Sequence, residues 1–114
     1  MKSELKENMY VRTKDGEIHK IKSINDEYIE YENGFGIPYE LKEYIVKSSY
    51  KIIDLIEIDD FINGMRISEI KSNKNGILKC MVDSDYEFIT TIINSEVESV
   101  LTKEQFESIE YKVE

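Results

Sequence analysis

Apolar and polar positions alternate along most of this chain, which is the pattern of β-strands with one buried face. Two strand–turn–strand units share an unusual break in that alternation. Ile18 and Ile21 stand three positions apart in the first unit, and Ile67 and Ile70 repeat this step 49 residues later. Because the same break occurs twice, the pattern predicts a shared backbone feature such as a β-bulge, and hence a duplicated β-module.

Turn residues separate the apolar runs at the spacing of antiparallel hairpins. Three pairs tolerate the positive φ angles that tight hairpins need: Asp15-Gly16, Asn33-Gly34 and Asn63-Gly64. Pro38 lacks the N–H of a central strand, so residues 35–38 are predicted to form a loop or an edge strand. Residues 41–47 fit a helical turn and a strand equally well.

The last third of the chain combines strands with one short helix. Residues 77–82 predict a strand with Leu78, Cys80 and Val82 on one face. Thr102 and Gln105 have the spacing of a capping box, which predicts a helix over residues 102–108 with Phe106 directed into the core. Residues 109–113 alternate again and predict a final strand.

These elements predict a mainly β (β-rich α+β) fold. We expect two small antiparallel β-modules of the SH3-like or barrel type, with a short helix near the C-terminus. The first module is assigned to residues 1–50 and the second to residues 51–114, and the apolar stretch 52–58 is interpreted as a buried connector. A chain of 114 residues buries roughly two-thirds of its unfolded surface, which suffices for a core without disulfides or metal.

Cysteine content and hydropathy predict the compartment. The single Cys80 excludes an internal disulfide, which fits a reducing cytosol. No apolar leader follows Met1, and no apolar run has the length of a membrane span. The sequence therefore predicts a protein of the cytoplasm that is neither exported nor membrane-spanning.

Negative charge is concentrated in the second module. Residues 1–50 carry eight basic and ten acidic side chains, and residues 51–114 carry seven basic and fourteen acidic ones, within a total charge of −9. Contacts to nucleic-acid phosphates need clustered Lys and Arg, so direct nucleic-acid binding is not expected. The acidic side chains form either a solvated surface or a face that docks on a basic partner. The candidate partner-binding residues are Asp54, Glu57, Asp59, Asp60, Asp83, Asp85, Glu87, Glu96 and Glu98.

Candidate catalytic and metal-binding groups are sparse. The only histidine, His19, is predicted on the solvent face of a strand, and Cys80 in an apolar run is predicted to behave as a small hydrophobe. The run Asp83-x-Asp85-x-Glu87 resembles the start of a calcium loop, but Phe88 and Asn94 occupy the positions that need Gly and Glu. We therefore predict no catalytic residue, no metal, no cofactor and no enzymatic activity.

Tyrosines crowd the first half of the chain and offer a second candidate surface. Tyr presents broad contact area with a polar tip, which suits interfaces, although amphipathic strands and core packing also use it. If these rings are exposed together, the expected contact patch is Phe35, Tyr39 and Tyr44. For a small ligand, a local basic pocket is offered by Lys14, Lys20, Lys22 and Lys42.

Several segments resemble small uncharacterised proteins of phages and prophages in low-GC Gram-positive bacteria. The resemblance is carried by residues 10–16, 52–57, 60–64 and 99–107 and by Tyr111-Lys112-Val113. Asp59 stands where that family has Gly, and a side chain at this position disfavours a positive-φ turn. Small acidic phage proteins often interfere with host defence, including CRISPR nucleases, so the resemblance implies an accessory role of this kind.

The leading hypothesis is a non-catalytic phage accessory protein whose acidic face binds a host protein, such as a nucleic-acid-binding defence nuclease. Such a protein would be an inhibitor of the anti-CRISPR type. One alternative is a small-ligand binder, such as a sponge for a nucleotide signal, that uses the Tyr-rich half. Another is a virion or self-assembly component, so homo-oligomerisation stays open.

Overall fold

The chain folds into two compact units, Met1–Leu55 and Ile56–Glu114. The computed structural model describes residues 4–82 and 90–109. Each unit contains one five-stranded antiparallel sheet, and a short α-helix lies near the C-terminus. The predicted mainly β class is therefore confirmed. Across the described residues, no helix has both the length and the apolar character that a membrane crossing requires.

The first sheet is a four-strand meander to which the fifth strand returns. Its strands are β1 (Tyr10–Thr13), β2 (Ile18–Ile24), β3 (Tyr28–Tyr31), β4 (Gly36–Pro38) and β5 (Ile45–Ser49). The order across the sheet is β4-β3-β2-β1-β5, so β5 pairs with β1. Strand β4, which contains Pro38, lies at one edge of this order as the sequence predicts, because an edge strand tolerates the missing N–H.

The second sheet has the same design. Its strands are β6 (Phe61–Ile62), β7 (Met65–Asn73), β8 (Gly76–Val82), β9 (Thr90–Ile92) and β10 (Val100–Leu101). The order is β10-β6-β7-β8-β9, so the last strand again pairs with the first. If β6–β10 are renumbered as β1–β5 and the order is read from the opposite edge, it is the order of the first sheet. The two predicted β-modules therefore share one strand topology.

Short helical segments also repeat between the units. A 3-10 segment precedes the last strand in each unit, at Tyr39–Tyr44 and at Asn94–Glu96. A helical turn follows the last strand in each unit, as the 3-10 helix Ile52–Leu55 and as helix α1 (Lys103–Ile109). Residues 41–47 are thus a helical turn that runs into a strand, so both interpretations of that segment hold in part.

The predicted bulge occurs in the second unit and is displaced in the first. In β7 an extra residue, Ser68, separates Ile67 and Glu69, whose partners Val82 and Met81 are adjacent. In β2 the extra residue is Lys22, just after Ile21, and the pairing with β1 is regular from Ile18 to Lys20. The prediction of one shared bulge position is therefore wrong for β2.

Each core is built from the inward positions of its own sheet. The first core is the buried cluster Met9, Val11, Ile21, Ile29, Tyr31 and Ile45. Cys80 and Val82 are buried in the second unit, as expected, but Leu78 is exposed. Lys71 and Ser72 pair with Lys79 and Ile77, so Leu78 is an extra residue in β8. This bulge interrupts the alternation of inward and outward side chains from which an inward Leu78 was predicted.

Positive-φ residues close the turns. Asn63 and Gly64 have φ of 52° and 82°, as a type I′ hairpin turn requires at both central residues. Asp59 also has a positive φ, 77°, so the expectation that its side chain disfavours such a turn is wrong. Asp tolerates the left-handed region better than most residues, because its short polar side chain forms local hydrogen bonds.

A buried charged side chain links the first strand of each unit to the helical turn after its last strand. Arg12 in β1 is almost fully buried, and its Nη1 donates to the carbonyl oxygen of Leu55 at 3.0 Å. Asp60, directly before β6, is fully buried. Its carboxylate accepts the backbone N–H groups of Glu57 at 2.7 Å and Lys103 at 2.9 Å.

Helix α1 begins as the sequence predicts but packs differently. The hydroxyl of Thr102 accepts the N–H of Gln105 at 3.3 Å, which confirms Thr102 as the N-cap. Phe106 was expected in the core, but it is 41% exposed and its ring lies 5.0 Å from that of Phe61. Ile109 is the last helical residue, and the rest of the strand predicted over residues 109–113 lies outside the described residues.

We predict that Asp60→Asn lowers the free energy of unfolding of the second unit by about 1–3 kcal/mol, because an amide NH2 then faces a backbone N–H that loses its acceptor. Urea unfolding monitored by circular dichroism measures this loss. The matched control is Asp59→Asn, which removes an exposed ion pair with Arg66 and should change stability by about 1 kcal/mol or less. Equal effects of the two substitutions would contradict the structural role given to Asp60.

Candidate functional site

An open cleft lies in the first unit where three connections of its sheet meet. The β1–β2 loop contributes Thr13 and Glu17, the β3–β4 turn contributes Asn33 and Phe35, and the 3-10 segment before β5 contributes Tyr44. The cavity has a volume of about 230 Å³. Its walls are polar on the loop side and aromatic on the turn side, so it is suited to a ligand that combines charge with a flat surface.

Tyr31 lies in this cleft with an unsatisfied polar atom. Its side chain is only 3% exposed, and its hydroxyl is buried with no hydrogen-bond partner among the described residues. Burial raises the pKa of Tyr31 to about 12, and the negative charges of Glu17 and Asp15 add to this effect. The hydroxyl is therefore neutral at physiological pH and keeps its proton as a hydrogen-bond donor.

His19 stacks flat on Tyr31, with ring centroids 4.1 Å apart and an angle of 5° between the planes. Its Nε2 lies 3.1 Å from a carboxylate oxygen of Glu17, and Nδ1 lies 3.4 Å from the side-chain nitrogen of Asn33. These contacts fit the tautomer that carries its proton on Nε2.

The prediction of a solvent-facing His19 is wrong, because only 16% of the side chain is exposed. His19 pairs with Val11 in a regular register, and it stands two residues before Ile21. Alternation therefore places it on the same face of β2 as the buried Ile21.

Hydrogen bonds within the β1–β2 loop fix the acidic rim of the cleft. The Thr13 hydroxyl donates to Asp15 and accepts the N–H of Glu17 at 3.0 Å. The bond from Thr13 lowers the pKa of Asp15 by more than burial raises it, and a bond from Tyr44 lowers it further. The backbone N–H of Lys14 donates to the carbonyl of Tyr44 at 3.0 Å, which attaches this loop to the segment before β5.

Phe35 is the most exposed large apolar side chain at the cleft, with 74% of its surface accessible. Hydrogen bonds fix the turn that carries Phe35. The side-chain oxygen of Asn33 accepts the N–H of Phe35 at 2.9 Å. The N–H of Tyr31 also donates to the carbonyl of Phe35 at 2.7 Å. The Phe35 ring is therefore held in a fixed position and offers apolar contact area at the cleft.

The structure divides the predicted aromatic patch. Phe35 and Tyr44 both line the cleft, but Tyr39 packs against the core of the first unit and lines a different groove. That groove has a volume of about 770 Å³ and an apolar wall formed by Ile45 and Val46. The ammonium of Lys42 lies 4.6 Å from the centre of the Tyr39 ring.

Two of the four lysines of the predicted basic pocket, Lys42 and Lys20, contact neighbouring side chains. Lys42 is held at Tyr39, and Lys20 lies 3.8 Å from the carboxylate of Glu32. Lys14 and Lys22 are both exposed.

Most of the predicted acidic docking residues bond within their own unit. Asp54 belongs to the first unit and accepts the hydroxyl of Ser49 at 2.6 Å. In the second unit, Glu57 pairs with Lys103 at 2.9 Å and Asp59 pairs with Arg66 at 3.1 Å. These carboxylates contribute to local structure, which weakens the case for them as one docking face.

The remaining acidic candidates differ from one another. Asp60 is fully buried, so it cannot contact a partner, and burial reflects its role as acceptor for two backbone N–H groups. Glu96 accepts the N–H of Ile93 at 3.0 Å, and Glu98 is exposed. The other three, Asp83, Asp85 and Glu87, lie outside the described residues.

The described residues offer no cluster for a metal ion, and the thiol of Cys80 is inaccessible. Within residues 4–82 and 90–109, no three His, Cys, Asp or Glu side chains are grouped to hold a metal ion. Cys80 is fully buried, and burial, with a smaller effect from the charge of Asp60, raises its pKa to about 11. The expectation that Cys80 behaves as a small hydrophobe is confirmed, since an inaccessible thiol is a poor nucleophile.

No protein-family model, no curated protein and no solved structure matches this chain.

The sequence pointed to Phe35 and Tyr44 but missed Tyr31 and His19. A usable signal was present, because His19 and Ile21 alternate on one strand face and Tyr31 directly precedes the β3–β4 turn. The stack between His19 and Tyr31 depends on the pairing of β2 with β3, in which Ile21 and Tyr31 are partners. Sequence spacing alone does not give that register.

We predict that the stability of the protein falls above pH 10 in a way that depends on Tyr31. The folded state holds the phenolic proton up to a pKa of about 12, whereas the unfolded chain releases it near 10. The contribution is therefore fully present below pH 10 and is lost as the pH rises towards 12.

Urea unfolding of wild type and Tyr31→Phe at pH 9 and pH 11.5 tests this. The wild type should lose roughly 2 kcal/mol more than the variant over that range. The matched control is Tyr39→Phe, because the hydroxyl of Tyr39 accepts a hydrogen bond from the exposed Lys42. This variant should lose as much stability between pH 9 and pH 11.5 as the wild type. Identical pH profiles for wild type and Tyr31→Phe would contradict the buried position of the hydroxyl.

Proposed function

We propose that this protein is a non-catalytic binding protein and that the cleft of its first unit attaches it to a basic partner protein. The observation that carries this proposal is the buried Tyr31 hydroxyl, which has no hydrogen-bond partner among the described residues and belongs to a residue that lines an open cleft. A buried polar group without a partner is costly, and a bound ligand would relieve that cost. The exposed ring of Phe35 adds apolar contact area beside it.

Charge supports a basic partner. The chain carries a formal charge of −9, and such a field speeds association with a positively charged surface and opposes association with nucleic acid. The site differs from the acidic face that the sequence suggested, because many of those carboxylates bond within their own units. The total negative charge contributes to steering in either case.

The resemblance to prophage proteins extends the proposal to a biological setting. A phage-encoded protein would act in the cytoplasm of its bacterial host, on a host protein. A defence nuclease is the partner class we favour, because nucleic-acid-binding surfaces are basic. The motifs that resemble prophage proteins and the acidic composition support this setting.

A small-ligand function is the second candidate, and the groove beside Tyr39 favours it. Its volume of about 770 Å³ lies within the range of about 300–1,000 Å³ that is typical of small-molecule sites. Lys42 and Lys47 line it together with the carboxylates of Glu4, Glu43 and Asp54, so a ligand such as a nucleotide would meet charges of both signs there.

We predict that the immobilised chain retains a basic protein from a lysate of a low-GC Gram-positive host, and that retention falls as salt is raised, because exposed charges are screened. Phe35→Ala should lose most of this retention. The matched control, Leu41→Ala, removes another exposed apolar side chain of the same unit and should keep it. Mass spectrometry identifies the eluted protein.

Three results would count against the proposed function: no retained protein, retention indifferent to salt, or equal retention by the Phe35→Ala variant.

For the second candidate, thermal-shift assays and native mass spectrometry with a nucleotide panel are the direct measurements. A ligand in the groove should raise the melting temperature of the wild type. The Val46→Glu variant, which places a negative charge on the groove wall, should lose that increase. The absence of any shift or adduct would remove the small-ligand function from consideration.

A further inference from the structure

We infer that the cleft of the first unit receives the side chain of an arginine carried on a basic segment of the partner protein. This inference rests on the proposed function and specifies the chemistry of the contact. Four properties of the cleft lead to it: its size, its electrostatic potential, the unsatisfied hydroxyl of Tyr31 and the flat aromatic surfaces around it.

Size favours one side chain over a free small molecule. The cavity of about 230 Å³ is smaller than the range of about 300–1,000 Å³ that accommodates typical small-molecule ligands. The cleft is also open to solvent on the side of Phe35, which is mostly exposed. A side chain that enters from a chain lying outside the cleft fits both features.

The potential in the cleft favours a cation. Glu17 lines the cavity, and Asp15 is held beside it by the Thr13 hydroxyl. The charges of both carboxylates oppose ionisation of the Tyr31 phenol, so the potential at that hydroxyl is negative. An anionic ligand group, such as a phosphate or a carboxylate, would be repelled by these carboxylates, whereas a cationic group would be attracted.

The Tyr31 hydroxyl provides a fixed acceptor at the buried end. Its oxygen has lone pairs that no described residue uses, and an N–H donor from a guanidinium would satisfy it. The carboxylate of Glu17 is about half exposed, so it is accessible to the same group. One guanidinium carries five N–H donors in a planar fork, so it has donors for more than one acceptor.

Aromatic surfaces distinguish arginine from lysine. His19 and Tyr31 form a parallel stack, and the ring of Phe35 is exposed at the entrance. A planar guanidinium stacks on an exposed ring such as that of Phe35 and is weakly hydrated, whereas the compact ammonium of lysine is strongly hydrated and presents no plane. The cleft should therefore prefer arginine to lysine at equal charge.

The test is an NMR titration of the full ¹⁵N-labelled chain with three capped tripeptides. These are Gly-Arg-Gly, Gly-Lys-Gly and Gly-citrulline-Gly, in which citrulline has the shape of arginine without its charge. We expect the arginine peptide to shift the backbone amides of Glu17, Tyr31 and Phe35. The lysine peptide should bind roughly fivefold or more weakly, and the citrulline peptide more weakly still.

Two substitutions in the cleft probe the acceptors, each with a matched control. Tyr31→Phe removes only the hydroxyl, and Glu17→Gln removes only the charge. Each should weaken binding of the arginine peptide roughly fivefold to tenfold. Tyr28→Phe, on the same strand but outside the cleft lining, and Glu40→Gln, an exposed carboxylate elsewhere in the unit, should each change it less than about twofold. The amide spectra of all four variants report whether the fold is retained.

The results separate this inference from the function on which it rests. Equal binding of the three peptides, shifts confined to other regions, or unchanged binding by Tyr31→Phe would each overturn the arginine site. If the chain nevertheless retains a basic partner in a manner that depends on Phe35, the proposed function stands and only its chemistry was wrong. If no partner is retained and no peptide binds, both fail.

Discussion

In both units the fold depends on the return of the last strand to the first, and a buried charged side chain stabilises that closure. Arg12 reaches the carbonyl of Leu55, and Asp60 accepts the N–H of Lys103. Both bonds join residues that are 43 positions apart in the chain, so each links the two ends of its unit across the intervening sheet. Burying a charge is costly unless it is hydrogen-bonded. Any strand arrangement that breaks one of these bonds would therefore leave a buried charge unsatisfied.

The closure of the first unit also creates its cleft. Pairing of β5 with β1 brings the preceding 3-10 segment against the β1–β2 loop, where Lys14 bonds to the carbonyl of Tyr44. The β2–β3 pairing places Tyr31 beside His19, and the adjacent turn presents Phe35. The cleft is thus a product of non-local contacts among short segments. This arrangement explains how a small β-module carries a binding site on its loops while its strands fix their positions.

The duplicated topology has been used differently in the two units. In the first unit the buried charge is Arg12, within the first strand. In the second unit it is Asp60, directly before the first strand, and its sign is opposite. The acceptor is a carbonyl at the end of a 3-10 helix in the first unit, whereas the donors in the second include an N–H in the first turn of α1. Each sign suits the helix terminus that it meets, since carbonyls are unpaired at helix C-termini and N–H groups at N-termini.

Local patterns in the sequence determined the strands, the Asx-Gly turns, the Thr102 cap and the doubling of the module, because alternation and turn chemistry act over a few residues. Register was not determined in this way. A bulge at Lys22 or an extra residue at Leu78 shifts which side chains face inward, and sequence spacing carries little information about that choice. Only the tertiary structure decided that His19 lies against Tyr31, that Asp60 is buried and that Phe35 and Tyr44 share a cleft without Tyr39, because each depends on segments brought together by pairing between distant strands.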